Sequence, residues 1–267
     1  TLPGTGLELA RLARVGELVD GVEAGEISIR EATIRLDEID KIPHPWGETA
    51  NAVSYLFCGS GFAVLLGGCW WDIVLSSVFS LVVYGMVLLS ARFGALTAAW
   101  LPLSTAFVAG ALTAGTKILL PEVNGVLVTL SAILILIPGY PISVGVIELV
   151  SKRVVSGTAN LMGGLVYLIK QFAGAWLGVG LVKLFGSMPA TVASPVDPQW
   201  LWLFMPLLII GLCVVFQTAA RDLLWAVLVC GIAYGGILLG SAIAGGNLGN
   251  LFGTIIVVIF ANLWARK

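Results

Sequence analysis

The chain has 267 residues, of which 58% are hydrophobic and 11% are charged, and its formal net charge is −1. Soluble domains carry about a quarter charged residues, so this composition excludes a soluble protein and indicates an integral membrane protein. The net charge also provides no basic surface for nucleic acid, which we exclude as a partner.

The charged side chains are concentrated at the start of the chain, where residues 1–48 hold 15 of the 29. Apolar residues at helical spacing in LELARLARVGELVDGVEAG predict a first helix. A capping box of Ser28 and Glu31 predicts the start of a second, which ends at Pro43. We therefore predict that residues 1–46 form an amphipathic cytoplasmic helical hairpin. Because the chain lacks an initial methionine, we expect that a segment upstream of this hairpin has been removed.

Eight apolar segments follow, and each reaches the roughly 20 residues that a helix needs to cross a bilayer. They lie near residues 50–69, 72–91, 95–115, 124–148, 158–183, 200–217, 222–241 and 247–264. Tryptophans at segment ends, among them Trp70, Trp71 and Trp200, are typical of membrane interfaces. The sequence therefore predicts an all-α membrane protein, a polytopic bundle of eight transmembrane helices.

Lysine and arginine residues predict the orientation of this bundle. With a cytoplasmic N-terminus, six basic residues lie on the inner side and one, Lys117, lies in an outer loop. The inner six are Arg92, Lys152, Arg153, Arg221, Arg266 and Lys267. This positive-inside bias favours a cytoplasmic N-terminus. We expect a bacterial cytoplasmic membrane, with a eukaryotic membrane as the open alternative.

A shift of 150 residues aligns two apolar segments of the chain. WDIVLSSVFSLVVYGMVLL then lies over RDLLWAVLVCGIAYGGILL, so that Asp72 meets Asp222, and further upstream Gly61 meets Gly211. Chance similarity between apolar helices is the alternative. The ordered Asp, Tyr-Gly and Leu-Leu matches favour a real repeat.

One repeat unit contains five predicted crossings, so the second unit must enter the membrane from the opposite side. We predict a first five-helix unit over residues 47–186, an outer linker over 187–199, and the first three helices of an inverted second unit over 200–267. Inverted repeats of this kind are typical of secondary transporters. We expect the chain to be incomplete, since its second unit stops after three spans.

The fourth predicted span contains residues that a helix interior tolerates poorly. ILILIPGYPISVGVIEL places Pro138, Gly139 and Pro141 near the middle of this span. The carbonyl groups of residues 134–137 would then lose their helical partners, which a membrane tolerates only inside protein or beside a cavity. A simple proline kink is the alternative. Two prolines flanking a glycine favour a discontinuous helix that offers polar backbone groups to a substrate.

The substrate-binding candidates lie at this break and in neighbouring spans. A charge at mid-span is costly, so Lys170 is predicted to face a cavity or a partner and to neutralise a substrate carboxylate. Snorkelling of its side chain toward the interface is the alternative. The other candidates are Ser60, Pro138, Gly139, Tyr140, Pro141, Ser143 and Gln171.

Three acidic residues are candidates for proton coupling. Glu148 follows the break by about two turns and carries a proton if it is desolvated, whereas an i, i+4 pair with Lys152 is the slightly favoured alternative. Asp72 and Asp222 open their helices, where a capping role is favoured over proton carriage. We expect no metal and no cofactor, because the four cysteines and the one histidine form no ligand cluster.

Four stretches carry a resemblance to a known family: VEAGEISIREATIRLDEIDKIPHPW, GGCWWD, ILIPGYPISVGVIELVSKRVVSGTANL and RDLLWAVLVCG. In these, the chain resembles the threonine/serine exporter family. The resemblance implies a soluble N-terminal region followed by two five-helix units. It also implies export of small polar amino acids such as threonine and serine, in antiport with protons. Relatives split between two subunits look like exporters of small dicarboxylates such as succinate.

Three functional hypotheses follow from the residues and the resemblance. The first is a secondary exporter of threonine, serine or similar amino acids, working by alternating access around the break. The second is an exporter of small dicarboxylates, and the third is a channel or a non-transporting membrane scaffold. We expect a transporter and not an enzyme, because no nucleophile–base pair lies within the membrane segments. Its expected partners are the small-molecule substrate, the proton and the lipid bilayer, and the formation of a homo-oligomer is left open.

Overall fold

The computed structural model describes residues 8–41, 45–190 and 193–265. Within these ranges the chain forms eleven α-helices and three short 3-10 helices, with no β-strand. The prediction of an all-α protein is confirmed.

The chain divides into two compact units, Trp46–Val215 and Glu8–Pro45 together with Phe216–Lys267. The helices of the first unit are α3 (Glu48–Leu65), α4 (Trp70–Phe93), α5 (Ala95–Leu119), α6 (Gly125–Ile133), α7 (Gly139–Val150), α8 (Val154–Lys183) and α9 (Leu201–Val215). The second unit contains α1 (Leu9–Glu23), α2 (Ile29–Asp40), α10 (Leu223–Ala244) and α11 (Gly246–Ala265). Helices α1 and α2 occupy the segment for which the sequence predicts a hairpin, and Ser28 accepts the predicted capping bond from the Glu31 N–H.

Helices occupy all eight apolar segments. Five helices in the described part of the chain are long and apolar enough to cross a membrane, and the α6–α7 pair makes a sixth if it is counted as one broken span. The other two segments form α3, with 18 residues, and α11, with 20 residues. Length and composition therefore support an integral membrane protein.

Helix α6 lies in the core of the first unit. Its Val128 and Ala132 are fully buried against residues of α3, α4 and α5. It runs parallel to α4, because the Asp72 carboxylate accepts a hydrogen bond from the Asn124 N–H and, further along, the Ser80 hydroxyl donates to the Ala132 carbonyl. Burial of this apolar surface between four helices holds α6 in place.

Helices α3 and α9 are antiparallel and pack through two glycines. A Cβ added at Gly61 would lie 2.5 Å from the Leu208 Cβ, and one added at Gly211 would lie 2.9 Å from the Cys58 Sγ. The two contacts are reciprocal under the 150-residue shift, which exchanges Gly61 with Gly211 and Cys58 with Leu208.

Helix boundaries recur under the same shift. Helix α3 ends at Leu65 and α9 ends at Val215, and the next helical segments begin at Trp70 and at Ala220. Between them lies a left-handed residue in each case, Gly67 with φ 78° and Gln217 with φ 52°. The two segments that align under this shift therefore also share helix boundaries and the conformation of the turn, while the repeat itself stays a prediction.

The turn between α7 and α8 is a Schellman motif. The Arg153 N–H donates to the Glu148 carbonyl at 2.8 Å, and the Lys152 N–H donates to the Leu149 carbonyl at 3.0 Å. Lys152 has φ 63°, a left-handed conformation that glycine more often adopts at this position. The motif reverses the chain so that α7 folds back along α8.

Replacing Gly145 by leucine is expected to separate α7 from α8. A Cβ at Gly145 would lie 2.8 Å from the Leu161 nitrogen and 3.0 Å from the Gly157 oxygen, both backbone atoms. Overpacking of this kind costs about 1–3 kcal/mol, so the purified protein should unfold at a lower temperature.

The matched control is Gly163→Leu in the same hairpin, because a Cβ there meets nothing within 4 Å. Its unfolding temperature should stay close to that of the unaltered protein. Equal unfolding temperatures for both variants would contradict the close contact of α7 with α8.

Candidate functional site

The fourth predicted span is discontinuous at its proline–glycine sequence. Helix α6 ends at Ile133, a 3-10 turn covers Leu134–Leu136, and α7 begins at Gly139 after a bend of 63°. Between them, Ile137 is extended with ψ 126°, and Pro138 has φ −78° and ψ 57°. The predicted interruption is therefore confirmed, and it is a true change of backbone conformation rather than a kink in one helix.

Backbone hydrogen bonds close locally across the break. The Ile137 N–H donates to the Leu134 carbonyl at 3.0 Å, and the Gly139 N–H donates to the Ile137 carbonyl at 2.8 Å, forming an inverse γ-turn around Pro138. Pro141 lies in the first turn of α7, where backbone donors have no helical partner in any case. The expectation of free carbonyls over residues 134–137 is thus wrong for Leu134 and Ile137.

The two halves of the broken span differ in their surroundings. Six of the nine residues of α6 are buried, whereas Gly145 is the one buried residue among the twelve of α7. Ile135 in the 3-10 turn packs against the core cluster around Tyr55 and against the cluster formed by Cys58 and Leu208. The break therefore lies beside α3 and next to its contact with α9.

Helix α8 changes partners along its buried face. At Gly164 it contacts Ile142 of α7, and at Gly174 it contacts the backbone of α5. Residues 164, 167, 171 and 174 follow the spacing of one helical face. Tyr167 and Gln171 therefore occupy the stretch in which α8 passes from α7 to α5.

This stretch lies level with the break. Helices α7 and α8 are antiparallel, with Ile142 opposite Gly164. Continuing that register by one turn places Pro138 opposite the Tyr167–Gln171 turn of α8.

Two polar groups here are buried without a partner. Gln171 is 2% exposed, and neither its Nε2 nor the Tyr167 hydroxyl makes a hydrogen bond within the described ranges. Tyr167 lies close to Tyr55, whose ring centroid lies 4.8 Å from that of Tyr84. A buried polar group without a partner costs about 1–3 kcal/mol, so both groups are available to a ligand that supplies one.

Lys170 has a backbone partner in α5. Its Nζ donates to the Ala99 carbonyl at 3.1 Å. The neighbouring carbonyl of Ala98 has no helical donor, because Pro102 lacks an N–H. The lysine therefore has the kind of partner that a charge at mid-span requires.

Glu148 is bound across the α7–α8 hairpin. Its Oε2 accepts a hydrogen bond of 2.8 Å from the Asn160 Nδ2. Lys152 lies beyond the end of α7 in a left-handed conformation, so the helical i, i+4 geometry expected for a Glu148–Lys152 pair is not formed. Asn160 was not among the predicted site residues, although it lies in the SGTANL stretch that carries the family resemblance.

A family model described as "Putative threonine/serine exporter" matches residues 2–182, more than half of the chain. The chain belongs to the threonine/serine exporter family. This family is one of exporters, which are not enzymes, and its name places the protein in a membrane.

Relatives of this exporter-family chain occur in fungi and bacteria. "Pheromone-regulated membrane protein 10" of Candida albicans (strain SC5314 / ATCC MYA-2876) is 24% identical over 284 residues, which cover 98% of this chain and 24% of that protein. A "Probable threonine/serine exporter" of Mycobacterium tuberculosis is 34% identical over 90 residues, which cover 33% of this chain and 16% of that protein. The chain thus spans about a quarter of the length of the Candida relative. No solved structure matches it.

In this exporter-family chain, Asp72 ties α4 to α6. Its Oδ2 accepts from the Cys69 N–H at 3.0 Å and its Oδ1 accepts from the Asn124 N–H at 2.8 Å, and the residue is 1% exposed. The predicted capping role is confirmed, and it extends to the start of α6.

Asp222, its counterpart in the repeat, is bound differently. It makes no side-chain capping bond to α10, and its carboxylate lies 3.6 Å from the Arg221 Nε. Arg221 also pairs with Glu17 at 2.8 Å. The expectation that Asp222 caps its helix is wrong, because its carboxylate pairs with a side chain and not with the backbone.

The remaining predicted residues lie in other surroundings. Ser60 is buried in α3 and donates to the Phe57 carbonyl at 3.0 Å, and Tyr140 is 46% exposed. Gly139, Pro141 and Ser143 are exposed on α7, and Pro138 is half-buried. Among the predicted substrate-binding residues, Gln171 is therefore the one with a buried polar group left to bind a ligand.

Two cavities in the structure lie away from the break. One cavity of about 440 Å³ is apolar and lies on α5 and α8, and one of about 450 Å³ lies between α1 and the start of α10. Within the described ranges, no group of three His, Cys, Asp or Glu side chains is arranged to hold a metal.

Replacing Asp72 by alanine is expected to destabilise the protein strongly. The change leaves the N–H groups of Cys69 and Asn124 without their acceptor, and hydrogen bonds to a charged group contribute about 1.5–3 kcal/mol each. Asp222→Ala is the matched control and should change stability by no more than about 0.5 kcal/mol. Thermal unfolding of the purified proteins measures both. Equal shifts for the two variants would show that the capping contacts of Asp72 have no special weight.

Proposed function

We propose that the protein is a secondary active transporter that exports threonine, serine or similar small polar amino acids across a bacterial cytoplasmic membrane, with its N-terminus in the cytoplasm. The observation that carries the proposal is the 63° break in an otherwise membrane-spanning helix, in a chain of the threonine/serine exporter family. Discontinuous helices of this kind bind substrate at mid-membrane in secondary transporters. The name of the Mycobacterium relative supports the substrate class.

The cargo binds between the start of α7 and the Tyr167–Gln171 turn of α8. The N-terminus of α7 presents the positive end of a helix dipole, which suits the carboxylate of an amino acid. Gln171 supplies a buried amide without a partner. Lys170 is next to Gln171 in the sequence, and its Nζ is held by the Ala99 carbonyl. Its positive charge therefore favours the same carboxylate from a distance.

Alternating access follows from an inverted repeat, in which residues 47–186 form the first unit and residues 200–267 form the first three helices of the second. The chain then contains eight membrane spans. The reciprocal contacts of Gly61 with Leu208 and of Gly211 with Cys58 support this architecture, because a two-fold axis produces contacts in such pairs. Leu134 of the break packs against the same α3–α9 cluster. The break would then lie beside the α3–α9 contact between the two repeats, with the cargo site next to it.

Proton coupling is assigned to Glu148. Its bond to Asn160 joins α7 to α8 near the turn between these two helices, and it is charge-assisted while the carboxylate is ionised. Protonation weakens that bond and loosens α7 from α8. Asp72 suits this role less, because both of its oxygens accept from backbone N–H groups.

Counterflow in proteoliposomes tests the transport function. Full-length protein, preloaded with unlabelled threonine, should accumulate labelled threonine and serine, and an imposed pH gradient should increase the rate. Competition by succinate but not by threonine would replace the amino acid with a dicarboxylate as the cargo. Ion currents without exchange of either compound would identify a channel, and no flux at all would support a scaffold.

Glu148→Gln should separate coupling from exchange. Glutamine keeps a hydrogen bond to Asn160 but cannot carry a proton, so counterflow should persist while stimulation by the pH gradient falls by about tenfold or more. Glu122→Gln, at an exposed carboxylate, is the control and should behave like the unaltered protein. Full gradient stimulation in Glu148→Gln would remove this residue from the coupling mechanism.

A further inference from the structure

We propose that Tyr167 and Gln171 form a pair that recognises the side-chain hydroxyl of the cargo and so selects serine and threonine over alanine and valine. The inference rests on the proposed function and gives it a basis for specificity. Tyr167 was not among the predicted site residues, and Gln171 was predicted only as a neighbour of Lys170.

Tyr167 and Gln171 have complementary hydrogen-bonding capacities. The amide of Gln171 donates through its Nε2, whereas the phenolic oxygen of Tyr167 can both donate and accept. Both atoms are buried without a hydrogen-bond partner in the described part of the chain. One aliphatic hydroxyl can accept from the amide and donate to the phenol, so a single β-hydroxyl satisfies both groups.

The neutral surroundings of the pair decide which ligand group fits. Tyr55, Phe79 and Val83 belong to the buried cluster against which the break packs. A carboxylate placed against this cluster would lose its hydration without gaining a paired charge, which is unfavourable. An uncharged hydroxyl avoids that cost.

Neighbouring tyrosines do not compete for this role. The Tyr84 hydroxyl donates to the Glu48 carbonyl at 3.0 Å and is therefore occupied. Tyr140 is 46% exposed on α7. Among the tyrosines in the described part of the chain, Tyr167 is the one with a buried hydroxyl that makes no hydrogen bond.

Selectivity follows from the cost of leaving this pair unbonded. A site that binds a substrate hydroxyl rejects an analogue without it, because the buried polar groups then remain unpaired. An apolar pocket, in contrast, distinguishes compounds that differ by a hydroxyl or a methyl group only weakly. The pair therefore predicts strong exclusion of alanine and of valine, which has the shape of threonine.

Competition in counterflow tests the pair. Unlabelled serine should compete with labelled threonine, whereas alanine and valine should need concentrations at least about tenfold higher. In Gln171→Leu and Tyr167→Phe, the affinity for threonine should fall by about tenfold or more, and the advantage of threonine over valine should disappear. Tyr234→Phe, in α10 and outside the proposed cargo site, is the matched control and should keep the full discrimination.

Thermal unfolding provides a second readout that does not depend on transport. Replacing an unbonded buried amide by an apolar side chain of similar size is neutral or stabilising. Gln171→Leu should therefore unfold at the same or a higher temperature than the unaltered protein. Addition of threonine should raise the unfolding temperature of the unaltered protein and of Tyr234→Phe, but not that of Gln171→Leu.

The outcomes separate this inference from the proposed function. If the unaltered protein exchanges neither threonine nor serine, the proposed function fails. If it exchanges both and the two variants still prefer threonine over valine, the hydroxyl-recognising pair is overturned while the transport function stands. Equal loss of all amino acids in both variants, with lowered unfolding temperatures, would assign Tyr167 and Gln171 a structural role and overturn the inference as well.

Discussion

Backbone polar groups have no water to bind within a bilayer, and the interruption between α6 and α7 has to meet that constraint. It does so with a 3-10 turn, an inverse γ-turn around Pro138 and a proline in the first turn of α7, so the donors and acceptors of Leu134, Ile137 and Gly139 are used locally. The consequence is chemical. If these carbonyls are occupied, the polarity left for a ligand comes from the dipole of α7 and from the side chains of α8. The proposed function therefore places the cargo between the two helices and not on the bare backbone of the break.

The two halves of the broken span differ in burial and belong to different parts of the first unit. Helix α6 is part of the core, whereas α7 is attached to α8 through Gly145 and through the Glu148–Asn160 bond. Ile137 and Pro138 form the joint between them. A movement of α7 with α8 would change the φ and ψ angles of these two residues and leave the core packing of α6 intact. This division suits a transporter, because the proposed cargo site on α7 and α8 would then change its position relative to the core that contains α6.

Local chemistry made several features predictable from the sequence, and long-range contacts explain those that were not. The break follows from the residue types at 138–141, and the capping role of Asp72 follows from its place in the first helical turn. The partners of Lys170 and Glu148 lie 71 and 12 residues away, and neither could be read from helical spacing. Burial of Gln171 depends on how α8 crosses α5 and α7. Asp222 shows the same limit, since its place before α10 could be read from the sequence but its pairing with Arg221 could not.

The difference between Asp72 and Asp222 also bears on how the proposed repeats have diverged. In the first, the turn after α3 is held by Asp72, which bonds the backbone at Cys69 and Asn124.

In the second proposed repeat, the corresponding turn, which follows α9, is held by residues outside the repeat. The Leu9 and Ala10 N–H groups at the start of α1 donate to the carbonyls of Phe216 and Gln217, and Glu17 of α1 pairs with Arg221. The first turn of a helix has backbone donors to spare, which makes it a suitable partner for these carbonyls. Contacts from α1 thus hold the turn after α9, just as the buried carboxylate of Asp72 holds the turn after α3. Because its ion pair is exposed, this contact is the weaker of the two and the more easily altered by changes in α1.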